Sequence, residues 1–223
     1  MSDLLPLFPL GTVLYPGVLL PLHVFEERYR LLIRQLIALP EGTRRRFGVV
    51  AIREGQEVGR DGVRALYDVG CAAEVRRVQA HEDGRFDIVT SGAERFRLHD
   101  LDDTRPYLQA DVEWLPEPEG ADAALLAGGV GRLFAAYRNA VLAAQGERTP
   151  DAAQLPAPPL VLSYLVAAVM VLFVPDKQRL LAAPDAATRL DLERQLLRRE
   201  AAVVRRLPSL PAVDLLRTGV SPH

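Results

Sequence analysis

The sequence contains few of the residues from which reactive sites are built. Cys71 is the only cysteine among 223 residues, so an internal disulfide and a cysteine-based zinc cluster are excluded. The four histidines show no HExxH pair or other close spacing that suits a metal ion. We therefore expect no metal, no cofactor and no catalytic residue. The single thiol agrees with a reducing compartment.

The chain also lacks an excess of positive charge and a long apolar run. It has 27 Lys and Arg against 29 Asp and Glu, a net charge of -2, so no overall cationic field attracts nucleic acid or anionic lipid. The longest apolar run, Leu160 to Val174, has about fifteen residues, whereas a membrane-spanning helix needs roughly twenty. The N-terminus carries no Lys or Arg before its apolar stretch, unlike a signal peptide. We expect a cytoplasmic protein without membrane contact.

The first half of the chain has the pattern of a β-sheet. From Leu4 to about Trp114, apolar residues recur mainly with a period of two, which is typical of half-buried antiparallel strands. The clearest predicted strands are Val49 to Ile52, Cys71 to Val75, Phe86 to Thr90, Phe96 to Leu98 and Leu108 to Trp114. Asp83-Gly84 predicts a hairpin turn, because glycine adopts positive φ at little cost.

Helical patterns are found mainly in the second half. One helix is predicted inside the β-rich region, from Phe25 to Ala38. Further helices are predicted from Ala121 to Gln145, from Leu160 to Phe173, and in two later segments with Asp176 and Asp185 as N-caps. Prolines near residue 116 end the strand pattern. The predicted division is a β-rich lobe at 1–116, a helical lobe at 117–207 and an irregular tail at 208–223.

Several motifs resemble a known family. They are Leu5 to Gly17, Leu20 to Tyr29, Phe47 to Val50, Val69 to Ala73, Ser91 to Arg97, Asp176 to Leu181 and Arg189 to Glu200. Together they resemble the N-terminal domain of the Lon ATP-dependent proteases over nearly the whole chain, although the family usually has Gly-Thr-x-Ala where Cys71 stands here. The resemblance implies an α+β fold, in which a PUA-like β pseudo-barrel with one helix precedes a C-terminal helical bundle.

The motifs of the catalytic parts of a Lon protease are not found in this sequence. There is no GxxxxGK[ST] loop for nucleotide phosphates, and the glycines at 128–131 lack its lysine. Lys177 belongs to a helix motif and is not placed beside a serine nucleophile. Ser91 and Ser163 have no sequence relation to a histidine that would define a triad. We therefore expect a non-catalytic, stand-alone domain.

The resemblance implies a role in recognising unfolded or client polypeptides. Candidate peptide contacts are Leu14, Tyr15 and Val18, because they flank the Pro16-Gly17 turn where apolar side chains can project from the core. The expected role is a polypeptide-binding or adaptor module. The sequence leaves open whether an ATP-dependent protease is a partner, and it leaves the oligomeric state open.

Two alternative functions stay open at the level of the sequence. PUA-like folds also occur in RNA-binding modules, and a basic patch could form from Arg44, Arg45, Arg46, Arg194, Arg198, Arg199, Arg205 and Arg206. The acidic balance of charge and the aromatic content of 6% argue against nucleic acid. The other alternative is an enzyme with an unrecognised small-molecule pocket, because a fold does not determine a function.

Overall fold

The computed structural model describes residues 4–55, 63–145 and 155–204, and these pack as two units. The first unit joins Met1–Pro118 with Ala167–Pro184, and the second joins Glu119–Val166 with Asp185–His223. The second half of the chain therefore contributes to both units. The predicted lobes at 1–116 and 117–207 stay a proposal, and the predicted tail at 208–223 lies outside the described residues.

Seven strands and five helices make up the described parts of the chain. The strands are β1 (Leu5–Leu10), β2 (Leu19–Val24), β3 (Arg46–Gly55), β4 (Val63–Leu66), β5 (Val69–Ala80), β6 (Phe86–Asp102) and β7 (Gln109–Trp114). The helices are α1 (Glu27–Ile37), α2 (Ala123–Ala144), α3 (Pro159–Val169), α4 (Val174–Leu181) and α5 (Ala186–Val204). The predicted α+β class is confirmed.

Five strands of the first unit close into a ring. β3, β5, β6 and β7 pair in that order with antiparallel neighbours. β1 closes the ring, because it pairs in parallel with β3 at Leu7 and Gly48 and antiparallel with β7 at Leu5 and Ala110. β2 pairs with the first half of β6, and β4 pairs with β3. This closed arrangement is the expected β pseudo-barrel.

The interior of the ring explains the period of two in the sequence. Its core consists of Leu5, Leu7, Val50, Phe96 and Ala110. Side chains alternate between the two faces along each strand, and the apolar ones point to this side. Their burial supplies most of the stabilisation of the sheet. The Phe96 and Trp114 rings meet edge to face with centroids 6.1 Å apart. The predicted strands around these residues are therefore confirmed.

The predicted hairpin between β5 and β6 is also confirmed. The His81 N–H donates to the Arg85 carbonyl at 2.9 Å, and the Gly84 N–H donates to the His81 carbonyl at 2.9 Å. Gly84 has a φ of +79°, which a residue with a Cβ adopts only with strain. From α1, Arg30 Nε donates to the Gly84 carbonyl at 2.7 Å and fixes the turn.

Helix α4 packs with the sheet of the first unit. Gln178 Nε2 donates to the Val69 carbonyl at 2.8 Å, and Tyr15 Oη donates to the Lys177 carbonyl at 2.9 Å. These two bonds join a helix late in the sequence to a strand and a loop near its start. Sequence periodicity carries no information on such distant contacts.

Two details of the helix predictions are wrong and one is confirmed. The helix predicted from Leu160 to Phe173 ends at Val169, and Phe173 is the N-cap of α4. Asp176 is therefore in the first turn of α4 and is not its cap. The helix begins before Asp176 because Pro175 is suited to the first turn of a helix. Asp185 caps α5, because its carboxylate accepts the Thr188 N–H at 2.7 Å. This hydrogen bond lowers the pKa of Asp185.

Arg95 on β6 is a fully buried cation held by four acceptors. Its Nε donates to Glu117 Oε1 at 2.6 Å. Its Nη1 donates to the carbonyls of Leu181 and Ala183, both at 2.7 Å, and its Nη2 donates to the Pro116 carbonyl at 3.0 Å. The carbonyls of Leu181 and Ala183 are at the C-terminal end of α4, where a positive charge is favourable.

The second unit contains a different buried cation. α2 packs along α5, and on α5 the buried Arg189 donates to Ser163 Oγ at 3.1 Å and stacks over the Tyr164 ring at 4.0 Å. One turn further along α5, Glu193 is fully buried, and neither carboxylate oxygen has a hydrogen-bond partner among the described residues. Burial raises the pKa of Glu193 well above its usual value, and Arg189 only partly opposes this.

We predict that Arg95→Lys destabilises the protein by about 2–4 kcal/mol, because a lysine cannot serve four acceptors in this planar arrangement and leaves buried groups unpaired. Arg97→Lys is the matched control, since Arg97 is on the same strand but is exposed and pairs with Glu113. We expect the control to change stability by less than about 0.5 kcal/mol. Urea unfolding of both variants measures the difference; equal effects would contradict the structural role of Arg95.

We predict that Glu193→Gln reduces the pH dependence of stability. The raised pKa means that the folded state keeps a proton that the unfolded state loses as the pH rises above the usual glutamate value. The free energy of unfolding therefore falls with rising pH, by up to about 1.4 kcal/mol per pH unit for one proton. A glutamine side chain carries no such proton, so the variant is more stable than the parent at neutral pH. Unfolding from pH 5 to 8 measures this.

Glu200→Gln is the control for this prediction, because Glu200 is on the same helix, is partly exposed and pairs with Arg199 at 2.8 Å. We expect it to leave the pH profile of the parent unchanged. A profile for Glu193→Gln that runs parallel to that of the parent would show that Glu193 is ionised in the folded protein.

Candidate functional site

Strand β2 is an edge strand of the first unit. In the described part of the chain it pairs with β6 alone, from Leu19 opposite Ser91 to Val24 opposite Phe86. Its second edge therefore has no strand partner within these residues. Pro21 in the middle of β2 fits such a position, since proline has no N–H to donate and is confined to edges in sheets.

The turn before β2 is fixed against β6 by backbone contacts. The Gly17 N–H donates to the Gly92 carbonyl at 2.9 Å, and the Gly92 N–H donates to the Val18 carbonyl at 2.8 Å. A Cβ on Gly92 would lie 2.0 Å from the Tyr15 carbonyl oxygen, so only glycine allows this approach. The start of β2 is therefore held rigidly while its outer edge stays open.

The structure corrects the expected exposure of the predicted peptide contacts. Leu14 and Tyr15 are buried, with 3% and 1% of their surface exposed, so the expectation that they project from the core is wrong. The Tyr15 ring is buried, and its hydroxyl finds a hydrogen-bond acceptor there in the Lys177 carbonyl. Val18 is partly exposed at the start of β2. A contact between Val18 and a peptide stays a prediction.

Exposed apolar side chains occur further along β2 than predicted. Leu19 is 64% exposed and Phe25, directly after the strand, is 51% exposed. Pro21 is exposed between them. These residues were not identified from the sequence. The available signal was Pro21 inside an apolar run, which indicates an edge strand and therefore a surface that water reaches.

The end of β2 also carries a polar cluster. Asp87 on β6 accepts hydrogen bonds from His23 Nδ1 at 2.6 Å and from His81 Nε2 at 2.7 Å, one on each carboxylate oxygen. These bonds, first that of His23 and then that of His81, lower the pKa of Asp87. The cluster joins β2, β6 and the β5–β6 turn. Sequence spacing gave no indication of it, because the three residues meet only through strand pairing.

Two grooves adjoin this edge strand. One has a volume of about 390 Å³ and crosses the exposed face of β2, β6 and β5; it is lined by Pro21, Leu22, His23, Arg77, Gln79, Asp87, Ile88 and Val89. The other, of about 130 Å³, is beside Phe25 and is lined mainly by apolar side chains of β1, β2 and α1. Both offer contact surface for an extended ligand.

The candidate nucleophiles show no activating partner in the described part of the chain. Burial raises the pKa of the Cys71 thiol to about 12, so the reactive thiolate is disfavoured. Ser91 Oγ accepts from Arg76 Nε at 2.6 Å, and Ser163 Oγ donates to the Leu160 carbonyl at 2.8 Å. Neither serine bonds to a histidine. Among residues 4–55, 63–145 and 155–204, no three His, Cys, Asp or Glu residues are grouped for a metal ion.

The arginines considered for RNA binding are largely engaged with other groups. Arg44 pairs with Glu94 at 3.0 Å, and Arg46 stacks over the Trp114 ring at 4.4 Å. On α5, Arg194 pairs with Asp191 and Arg199 with Glu200. Arg205 and Arg206 lie outside the described residues. No helix in the described part of the chain has the length and apolar character needed to cross a membrane.

Comparison with known proteins agrees with this architecture. The structure is similar to the Lon N-terminal domain protein from Xanthomonas campestris, with a TM-score of 0.58 and 26% identity, over 88% of this chain and 98% of that one. It shares its fold with the N-terminal domain of the Mycobacterium avium complex Lon protease, with a TM-score of 0.60, 18% identity and coverage of 90% and 98%.

Longer relatives match over most of this chain but over little of their own length. Lon protease 2 of Syntrophobacter fumaroxidans is 26% identical over 91% of this chain and 26% of its own. The Lon protease of Koribacter versatilis is 30% identical over 89% of this chain and 24% of its own. The chain thus spans about a quarter of these curated relatives. The family model for the substrate-binding domain of ATP-dependent protease La (LON) matches residues 4–199, and the chain belongs to this family.

Proposed function

We propose that this chain is a non-catalytic polypeptide-binding module that holds extended apolar segments of client proteins at β2. The observation that carries the proposal is the open edge of β2, with Leu19 64% exposed on it and Phe25 51% exposed at its end. The substrate-binding description of the family supports the same class of ligand.

The outer edge of β2 offers backbone groups to an extended ligand. The Gly92 N–H donates to the Val18 carbonyl, and hydrogen-bonded positions alternate along an antiparallel pair. With the register of β2 on β6, the backbone groups of Leu20 and Leu22 therefore face β6. Those of Leu19, Pro21 and His23 face outward, where a peptide strand can add by main-chain hydrogen bonds.

The side chains around this edge favour apolar ligands. Leu19 and Pro21 are on one face of β2, since residues two apart share a face. Phe25 follows the strand next to the groove of about 130 Å³, which Tyr29 and Phe8 also line. Burying exposed leucine and phenylalanine surface under a client segment gives a favourable free energy of roughly 25 cal/mol per Å² of apolar area.

An adaptor role completes the proposal. The chain matches about a quarter of the length of curated relatives that are named Lon proteases, so the matched region belongs to proteases there. We therefore include an ATP-dependent protease as the recipient of segments bound by this chain.

We predict that Phe25→Ser lowers the affinity for an extended apolar peptide about tenfold, because the side chain loses its contact area with the ligand. The probe is a short capped peptide of alternating leucine and serine with a fluorescent label, and anisotropy measures its binding. Leu101→Ser is the matched control, because Leu101 is 53% exposed and is on the half of β6 that does not pair with β2. Equal losses in both variants would overturn the assignment to β2.

We predict that Leu19→Pro weakens binding of the same peptide by about fivefold beyond the loss in Leu19→Ala, because proline removes one outward N–H donor worth about 1 kcal/mol. Leucine has four side-chain carbons, proline three and alanine one, so proline keeps more apolar surface than alanine, and a weaker affinity of Leu19→Pro reports the loss of the backbone donor. Thermal unfolding checks that β2 still pairs with β6. Equal affinities of the two folded variants would show that the ligand does not add as a strand.

A further inference from the structure

The larger groove beside β2 has a defined arrangement of side chains across three strands. The register places Pro21 opposite Val89 and Val89 opposite Arg77, and it places His23, Asp87 and Gln79 in the next row. Residues that are paired across strands share a face, so both rows point into the groove of about 390 Å³. The first row has an apolar part, formed by Pro21 and Val89, and a cationic end, formed by Arg77.

Arg77 is the charged group of this groove that is left without a partner. It is exposed and forms no ion pair or hydrogen bond with any residue in the described ranges. Asp87, the acidic group in the same groove, has one oxygen bonded to His23 and the other to His81. The neighbouring Arg85 pairs with Asp83 at 2.6 Å. Asp87, the carboxylate that lines this groove, is thus engaged by the two histidines and does not pair with Arg77.

We infer that this groove binds a carboxylate located beside an apolar side chain, as in an extended client segment where Asp or Glu is two residues from an aliphatic residue and so shares its face. The Arg77 guanidinium matches the planar geometry of a carboxylate and binds it through two N–H donors. The Gln79 amide, two residues along β5 on the same face, can donate as well. Pro21 and Val89 provide the apolar surface for the adjacent side chain.

This inference names the chemistry of the client segment and so rests on the proposed function. The open edge of β2 selects for extended backbone and apolar side chains, without regard to charge. The larger groove, through Arg77, adds a preference for acidic segments. Their affinity is then higher than that of neutral segments with the same apolar content.

The test uses three capped, labelled peptides that differ only at one position, two residues after a leucine: glutamate, glutamine or lysine. We expect the parent protein to bind the glutamate peptide about fivefold more tightly than the glutamine peptide, the range of a partly exposed ion pair, and the lysine peptide less tightly still. Added salt reduces the preference. Arg77→Gln removes it. The control Arg97→Gln, which changes an exposed arginine of β6 that pairs with Glu113, keeps it.

The outcomes separate this inference from the proposed function. If the glutamine peptide binds in a Phe25-dependent manner and glutamate gives no advantage, the groove is not a carboxylate site and the proposed function stands. If the glutamate preference persists in Arg77→Gln, Arg77 is not the recognition group. If no peptide binds, both proposals fail. If the glutamate peptide binds through Arg77 and Phe25→Ser has no effect, the groove is confirmed and the β2 edge is not.

Discussion

The buried guanidinium of Arg95 is the interaction on which the first unit depends. It joins strand β6, the chain after β7 and the end of α4, three regions that are distant in the sequence. A buried charge is costly without partners, and here four acceptors surround it. The two carbonyls at the end of α4 would otherwise lack this donor at a helix terminus. The same residue therefore satisfies the sheet and the helix, and neither can move without leaving buried polar groups unbonded.

One segment of β6 holds the inner edge of β2 in place and leaves the outer edge of β2 open. From Ile88 to Arg95 this strand pairs with β2 and β5, accepts the turn before β2 at Gly92, and carries the anchoring arginine. Thr90 Oγ1 adds a side-chain hydrogen bond to the Leu20 carbonyl at 3.0 Å. Because β6 holds β2 along one edge, β2 presents its other edge in a constant geometry. A ligand then meets a site that needs no ordering, which lowers the entropy cost of binding.

The sequence predicted the parts of the fold that depend on local pattern. Alternation identified β5, β6 and β7, and Asp83-Gly84 identified the hairpin between β5 and β6, because both signals arise from nearest neighbours. The burial of Tyr15 was not predictable, since its partner Lys177 is 162 residues away. The cluster of His23, Asp87 and His81 depends on strand register, which alternation does not determine. Two of the three predicted contacts, Leu14 and Tyr15, are thus buried, and the largely exposed apolar residues begin further along, at Leu19.

Pro21 affects both the tendency of this protein to pair with its own copies and the proposed binding of clients. An open edge with a full row of donors promotes pairing between copies and aggregation. Proline in the centre removes one donor, so a second chain that pairs with β2 leaves one of its own carbonyls unbonded there. This weakens any continuous strand addition, including that of a client. Side chains such as Phe25 and the charge of Arg77 must then supply the rest of the affinity, and binding stays reversible. Reversibility is what a module requires if it passes segments to another site.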